Sequence, residues 1–174
     1  MSDDTEAVST LRATAHPLRL RMLSLLTGAE LSAAEVAREL DISHANASYH
    51  LRVLLEAGVV VVASEEKIRG GMAKRYRHPW EAKAERTASP GDQEVLRAVA
   101  EELVRRGGQR KRGTRHLLAD AELWVTPEAW ERVEGLVREA SELVHAEAKP
   151  PRSPGTVHVN LTAATFQMRE ETER

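Results

Sequence analysis

Apolar residues recur at helical spacing through the first third of the chain, switch to strand-like runs, and return to helical spacing. After an amphipathic segment over about 5–15, Leu18, Met22, Leu25 and Leu26 mark one face of a helix that Pro17 can open and Gly28 can close. Val36, Ala37 and Leu40 form the stripe of a second helix, and Ser32 with Glu35 has the spacing of a capping box. Asp41-Ile42-Ser43 leaves room only for a tight turn. Ser43 then caps a third helix to about Ala57, with Ala47, Leu51, Leu54 and Leu55 facing inward and Gly58 as the stop. Val59 to Ala63 is a β-branched run, and Lys67 to Arg77 is polar and basic around Gly70-Gly71. That is the pattern of a β-hairpin ended by His78-Pro79.

Beyond the hairpin, Val95, Leu96, Val99 and Leu103 predict an amphipathic helix over Glu94 to Arg106, broken by the glycine-rich run Gly107 to Gly113. Leu117 to Val125 reads as a strand. Thr126-Pro127-Glu128 combines a cap, a first-turn proline and an acid at the positive end of a helix dipole. The helix it opens carries Trp130, Val133, Val137, Ala140 and Val144 as one apolar seam, to about Glu147. Lys149 to Gly155 is a second breaker. Val157, Val159 and Leu161 then alternate with His158, Asn160 and Thr162, as in a half-buried strand. The expected architecture is mainly α with a small β component. A winged helix-turn-helix domain occupies 1–80, a connecting helix and basic linker 81–113, and a C-terminal strand–helix–strand dimerisation unit 114–174.

Composition narrows the function. The chain has 174 residues, 41% hydrophobic but only 3% aromatic, so its core is aliphatic, which favours packed helices. Cysteine is absent, which removes disulfides, thiol catalysis, thiol sensing and sulfur-ligated zinc. No apolar run approaches the roughly 20 residues of a membrane helix, and the acidic N-terminus is unlike a secretory signal. The expectation is a soluble cytoplasmic protein with no membrane partner.

The net charge of −2 hides a local bias. Five basic residues and no acid lie between Lys67 and His78, and six more with no acid lie from Arg105 to Arg115. From Ala121 onward there are six basic residues against ten acidic. A basic middle suits a polyanion that touches only part of the molecule.

The sharpest chemistry lies around the tight turn. In a helix-turn-helix the first helix braces the second, which lays its outward side chains along base edges in the major groove. That needs small residues at the crossing (Ala37, Ala45, Ala47) and hydrogen-bonding groups outside. The candidate reading residues are Ser43, His44, Ala45, Asn46, Ser48, Tyr49 and Arg52. Ser, His and Tyr can bond bases or phosphates, the Ala45 methyl can meet a thymine methyl, and Arg52 suits a phosphate. Candidate wing contacts are Lys67, Arg69, Lys74, Arg75 and Arg77. His50 either contacts phosphate or packs beside the helix crossing, with packing favoured. Tyr76 is open in the same way.

The sequence resembles the ArsR-type winged-helix repressors of bacteria. The resemblance lies in His16-Pro17-Leu18-Arg19-Leu20, in Ile42 to Leu51, and in Leu54 to Val60, and it covers about Leu11 to Pro79. It implies a homodimer on a palindromic operator, released by an inducing signal, with Ser43 to Arg52 as reading helix and Lys67 to Arg77 as wing. The metal-sensing cysteines of that family are missing, and the seven histidines include no i, i+4 pair. No metal site and no cofactor are expected.

The remaining segments leave alternatives open. The basic cluster of Arg105 to Arg115 is either a phosphate-grasping segment or a tether. The C-terminal unit is a dimer interface on the simpler reading. On the other it is an effector pocket for a small molecule, with Trp124, Trp130, Phe166 and Met168 as walls and His158 and Asn160 as anchors. With no phosphate loop, nucleophile elbow or paired carboxylates in apolar surroundings, the chain is not expected to be an enzyme. The function read from the sequence is a sequence-specific regulator binding double-stranded DNA, a homodimeric repressor responsive to neither metals nor thiols. The alternative is a winged-helix protein-interaction module without DNA binding, against which the uncompensated positive charge of the wing argues.

Overall fold

A computed structural model describes residues 10–68, 71–80 and 92–169. Residues 10–14 are helical (α1). Pro17–Gly28 follows as α2, Leu31–Ser32 as β1, Ala33–Leu40 as α3 and His44–Glu56 as α4. The hairpin is β2, Val61–Ile68, and β3, Gly71–Arg77, and two further helices follow among the described residues, α5 at Asp92–Gly107 and α6 at Pro127–Ala146. The fold is a winged helix-turn-helix extended by C-terminal helices.

The local chemistry explains each boundary. His16 caps α2, its ring Nδ1 accepting from the Leu18 N–H, with Pro17 in the first turn. The capping box at the start of α3 is complete: the Ser32 hydroxyl accepts from the Glu35 N–H, and the Glu35 carboxylate accepts from the Ser32 N–H at 2.8 Å. Asp41 takes the left-handed conformation (φ 54°) that turns the chain between α3 and α4, and Gly58 does so after α4 (φ 65°).

The winged helix closes on an aliphatic core. Met22, Leu26, Val36, Leu51, Leu54, Val59 and Val60 are its largest fully buried side chains, and the small Ala37 and Ala47 are buried where α3 meets α4. One strand was not anticipated from the sequence. Leu31 and Ser32 pair antiparallel with Tyr76 and Arg75, giving a three-stranded sheet in the order β1-β3-β2. Two residues carry too short a pattern to read as a strand. The β2–β3 register shifts between Val62 and Ser64, so Ala63 bulges. His78 fastens the wing's end, its N–H donating to the Leu26 carbonyl and its ring Nδ1 meeting the Val59 carbonyl at 2.7 Å.

The C-terminal half differs from expectation. On α5 the expected stripe splits: Val95 and Val99 are half-buried, but Leu96 and Leu103 face solvent while Ala98 and Glu102 are buried. Glu102, 3% exposed, accepts from Arg105 and Arg106, which neutralise it. The seam of α6 is only half-buried at Trp130, Val137 and Val144, and Val133 and Ala140 are exposed.

The helix start at Thr126 is as read, its hydroxyl accepting from the Ala129 N–H. The two strands expected beside it, Leu117 to Val125 and Val157 to Leu161, do not form. A strand is defined by its ladder, and among the described residues neither segment makes a backbone–backbone hydrogen bond.

The end of α6 nonetheless touches the winged helix at three points. Gly28 lies so close that a Cβ there would sit 2.7 Å from the Lys149 carbonyl oxygen. Arg152 bonds both carboxylate oxygens of Glu39, at 2.6 and 2.8 Å. Trp80 packs on His145 with ring centroids 5.1 Å apart.

Candidate nucleic-acid interface

Because Ala47, Leu51 and Leu54 are sunk in the core, the opposite face of α4 is displayed to solvent. Ser43, His44, Ala45, Asn46 and Arg52 are exposed, and Tyr49 is 54% exposed. Ser48 is half-buried, one step round the helix from the most open line. The Ser43 hydroxyl accepts from the Asn46 N–H at 3.2 Å, so its oxygen serves the cap and only its own proton is left to donate outward.

Behind this face lies a small polar cluster. His50 is 7% exposed, and this burial favours packing over a phosphate contact. Its ring lies 4.9 Å from that of His16 and edge-on to Tyr49 at 5.1 Å, while its Nδ1 has no hydrogen-bond partner among the described residues. Burial lowers the His50 pKa, and the nearby His16 and Arg19 lower it further. His16 is lowered in the same way, by burial and then by Arg19. Arg19 ties this cluster to α1, its guanidinium donating to the carbonyls of Ala13 and Arg12. Tyr49 is therefore backed by the His50 ring, which favours its neutral form.

The wing carries less free charge than its sequence suggests. Lys67 and Lys74 are exposed, and Arg69 lies outside the described residues. Arg75 is clasped: it donates to the Glu30 carbonyl at 2.6 Å and pairs with Glu35 at 3.2 Å and Glu66 at 3.3 Å. Glu65 stands opposite Lys74 in the β2–β3 register. Of the wing's positive charges, that of Arg75 is compensated by ion pairs, and Lys74 has Glu65 across the hairpin. Burial alone would raise the Glu35 carboxyl, but its bonds to Ser32 and the charge of Arg75 hold it below the ordinary carboxylate value. Arg75 thus braces the wing against the start of α3. Arg77 is half-buried and engaged. The clasp was missed because Glu30, Glu35 and Glu66 are distant in sequence from Arg75. Their only signal was acids flanking a basic hairpin.

The basic cluster after α5 divides. Arg105 and Arg106 are bound to Glu102, Arg110 donates to the Gly107 carbonyl, and Lys111, Arg112 and Arg115 are exposed.

The proposed effector pocket is not assembled in this chain. Trp124 is 93% exposed, and His158 and Phe166 are also exposed. The Asn160 side-chain Oδ1 accepts from Arg106 at 3.1 Å, and Trp130 is half-buried, its indole N–H without a hydrogen-bond partner among the described residues. Of these residues, Trp124, His158 and Asn160 lie on the two expected strands that do not form. An open groove of about 500 Å³ lies elsewhere, lined by Trp80, Glu139, Glu142, Leu143 and Ala146. Trp80 was not among the candidates, although it is one of only three tryptophans. Among the described residues no cluster of three His, Asp or Glu could hold a metal, and no helix is long and apolar enough to cross a membrane.

Residues 14–63 match a family model described as a helix-turn-helix domain. The match takes in α2, α3, α4 and the start of β2, under a third of the chain, so a helix-turn-helix domain is present while the C-terminal half has no such assignment. No curated protein matches the sequence.

Proposed function

We propose that this protein is a sequence-specific DNA-binding transcriptional regulator, acting as a homodimeric repressor on a palindromic operator. The observation that carries the reading is the exposed face of α4, where Ala45, Tyr49 and Arg52 project from a helix whose other side is locked in the core. The resemblance to ArsR-type repressors at His16 to Leu20 and Ile42 to Leu51 supports it. Such a helix enters a major groove, and a two-fold pair would set two copies about 34 Å apart, one turn of the duplex. Lys67 and Lys74, which are exposed, are the wing residues suited to phosphates, whereas Arg75 and Arg77 are committed within the protein. The absence of cysteine supports an inducer that is not a thiol reagent.

Selection of duplexes by the full chain, followed by gel shifts across salt concentrations, tests this reading. Arg52→Ala should weaken binding to every sequence and lower the salt slope by about 1. Tyr49→Ala should instead narrow the gap between selected and random duplexes. No binding to any duplex at low salt refutes DNA recognition and favours a protein-docking winged helix.

A further inference from the structure

Residues 115–169 display apolar side chains that none of the described residues covers. Helix α6 runs for 20 residues without one fully buried side chain. Leu117 is 92% exposed, and Leu118, Leu123, Trp124 and Val157 are each at least 73% exposed. Apolar side chains gathered in two exposed segments, rather than scattered singly, mark an interaction surface.

The flanking segments have the composition of strands. Residues 117, 119, 121, 123 and 125 are Leu, Ala, Ala, Leu and Val, and residues 157, 159, 161 and 163 are Val, Val, Leu and Ala. Each set falls on one face at the strand period of two. Neither segment makes a backbone–backbone hydrogen bond among the described residues.

The charges on either side are opposite. Lys111, Arg112 and Arg115 are exposed just before the first segment, and the region Pro127 to Glu147 carries six Glu against two Arg.

We infer that residues 114–169 are an assembly arm whose partner is the same arm of a second copy. In that assembly the segments around 117–125 and 157–163 become strands by pairing across the two chains, covering the exposed leucines. The basic turn of each copy lies against the acidic α6 of the other, since a two-fold axis makes any such contact twice. The inference deepens the homodimer reading above by naming its surface, and it assigns the pairing to the C-terminal arm rather than to the winged helix.

Sedimentation of the full chain at micromolar concentration, with amide hydrogen exchange, tests it. The wild type should sediment as two copies of the 19.3 kDa chain. Its amides over 157–163 should exchange slowly. The double variant Leu117→Glu, Val159→Glu should sediment as one copy, with fast exchange over the same residues. Both side chains are already exposed in the single chain, so the denaturation midpoint of the winged helix should not move, which separates lost assembly from lost folding. A wild type of single-chain mass, or a double variant that keeps its partner, overturns the inference. DNA recognition is judged separately: a single-copy variant that still shifts a half-site duplex upholds both readings. An assembling wild type that binds no duplex removes the DNA reading and leaves the arm.

Discussion

The winged helix and the C-terminal arm are both written in apolar periodicity, and they use it differently. In the winged helix the stripes of α2, α3 and α4 converge with Val59 and Val60 on one core. In the arm, α6 turns Trp130, Val137 and Val144 only half inward while Leu136 and Leu143 face solvent. Periodicity specifies a face to be covered. Whether that cover comes from the same chain is a separate matter, decided by what the chain brings within reach. The first region is complete by itself. The second has the chemistry of one half of an interface.

The largest expected effect follows from that contrast. Leu54→Ala opens a cavity in a core with no room to collapse and should cost about 2–5 kcal/mol in urea denaturation followed by helical circular dichroism. Leu118→Ala, examined at concentrations where the chain is single, removes a side chain that touches solvent and should stay within about 0.5 kcal/mol. Comparable losses from the two substitutions would erase the distinction between the regions.

A smaller effect probes where the regions meet. At Gly28, near the C-terminal end of α2, alanine has the better helix propensity by about 1 kcal/mol. The Lys149 carbonyl oxygen would stand 2.7 Å from the new Cβ, and backbone cannot yield as a side-chain tip can. Gly28→Ala should therefore lose about 1–3 kcal/mol to overpacking. The loss should appear as faster hydrogen exchange over 145–152 and a weakened Arg152–Glu39 pair, with α4 protected as before. Unchanged exchange over 145–152 would mean that the arm is not seated there.

The legible parts of the fold were those whose cause is local. Pro17, the Ser32–Glu35 box, the Asp41 turn, Gly58 and the Thr126 cap act within a few residues, and the structure has each where the sequence put it. The outward line of α4 was legible too, because Ala47, Leu51 and Leu54 fix the inward one. The illegible parts depend on distant partners. The β1 strand exists only because Tyr76 and Arg75 arrive beside it, and the Arg75 clasp draws on Glu30, Glu35 and Glu66. The flanking strands of the arm failed for the same reason, since alternation at Val157, Val159 and Leu161 states a preference without naming a neighbour. The compensation of Arg75 is hidden in a count along the chain, where Glu66 of β2 and Glu35 of α3 stand apart from the base they neutralise.

The smallest effect, and the one most specific to the reading helix, is in acid. His16 and His50 are both lowered, first by burial and then by positive neighbours, Arg19 for His16 and both His16 and Arg19 for His50. The other ring against His50 is that of Tyr49, edge-on. Both rings stay neutral in the folded protein at a pH where the unfolded chain already takes up protons. Their contribution to stability is thus fully present above the ordinary histidine value of about 6.5 and is lost as pH falls below it. Glu35 and Glu102 are lowered carboxylates whose contributions persist until pH drops through the acid range beneath their ordinary value, so they are silent in the histidine window. Stability measured from pH 7.5 to 5 should decline in the wild type and decline less in His50→Gln, which keeps a polar group but cannot be charged. Because Tyr49 rests on the His50 ring, discrimination between selected and random duplexes should fade over the same interval, while the mass of the assembled arm should not change. A flat stability profile in the wild type, or an identical slope in His50→Gln, would show that the buried pair does not tie the reading helix to pH.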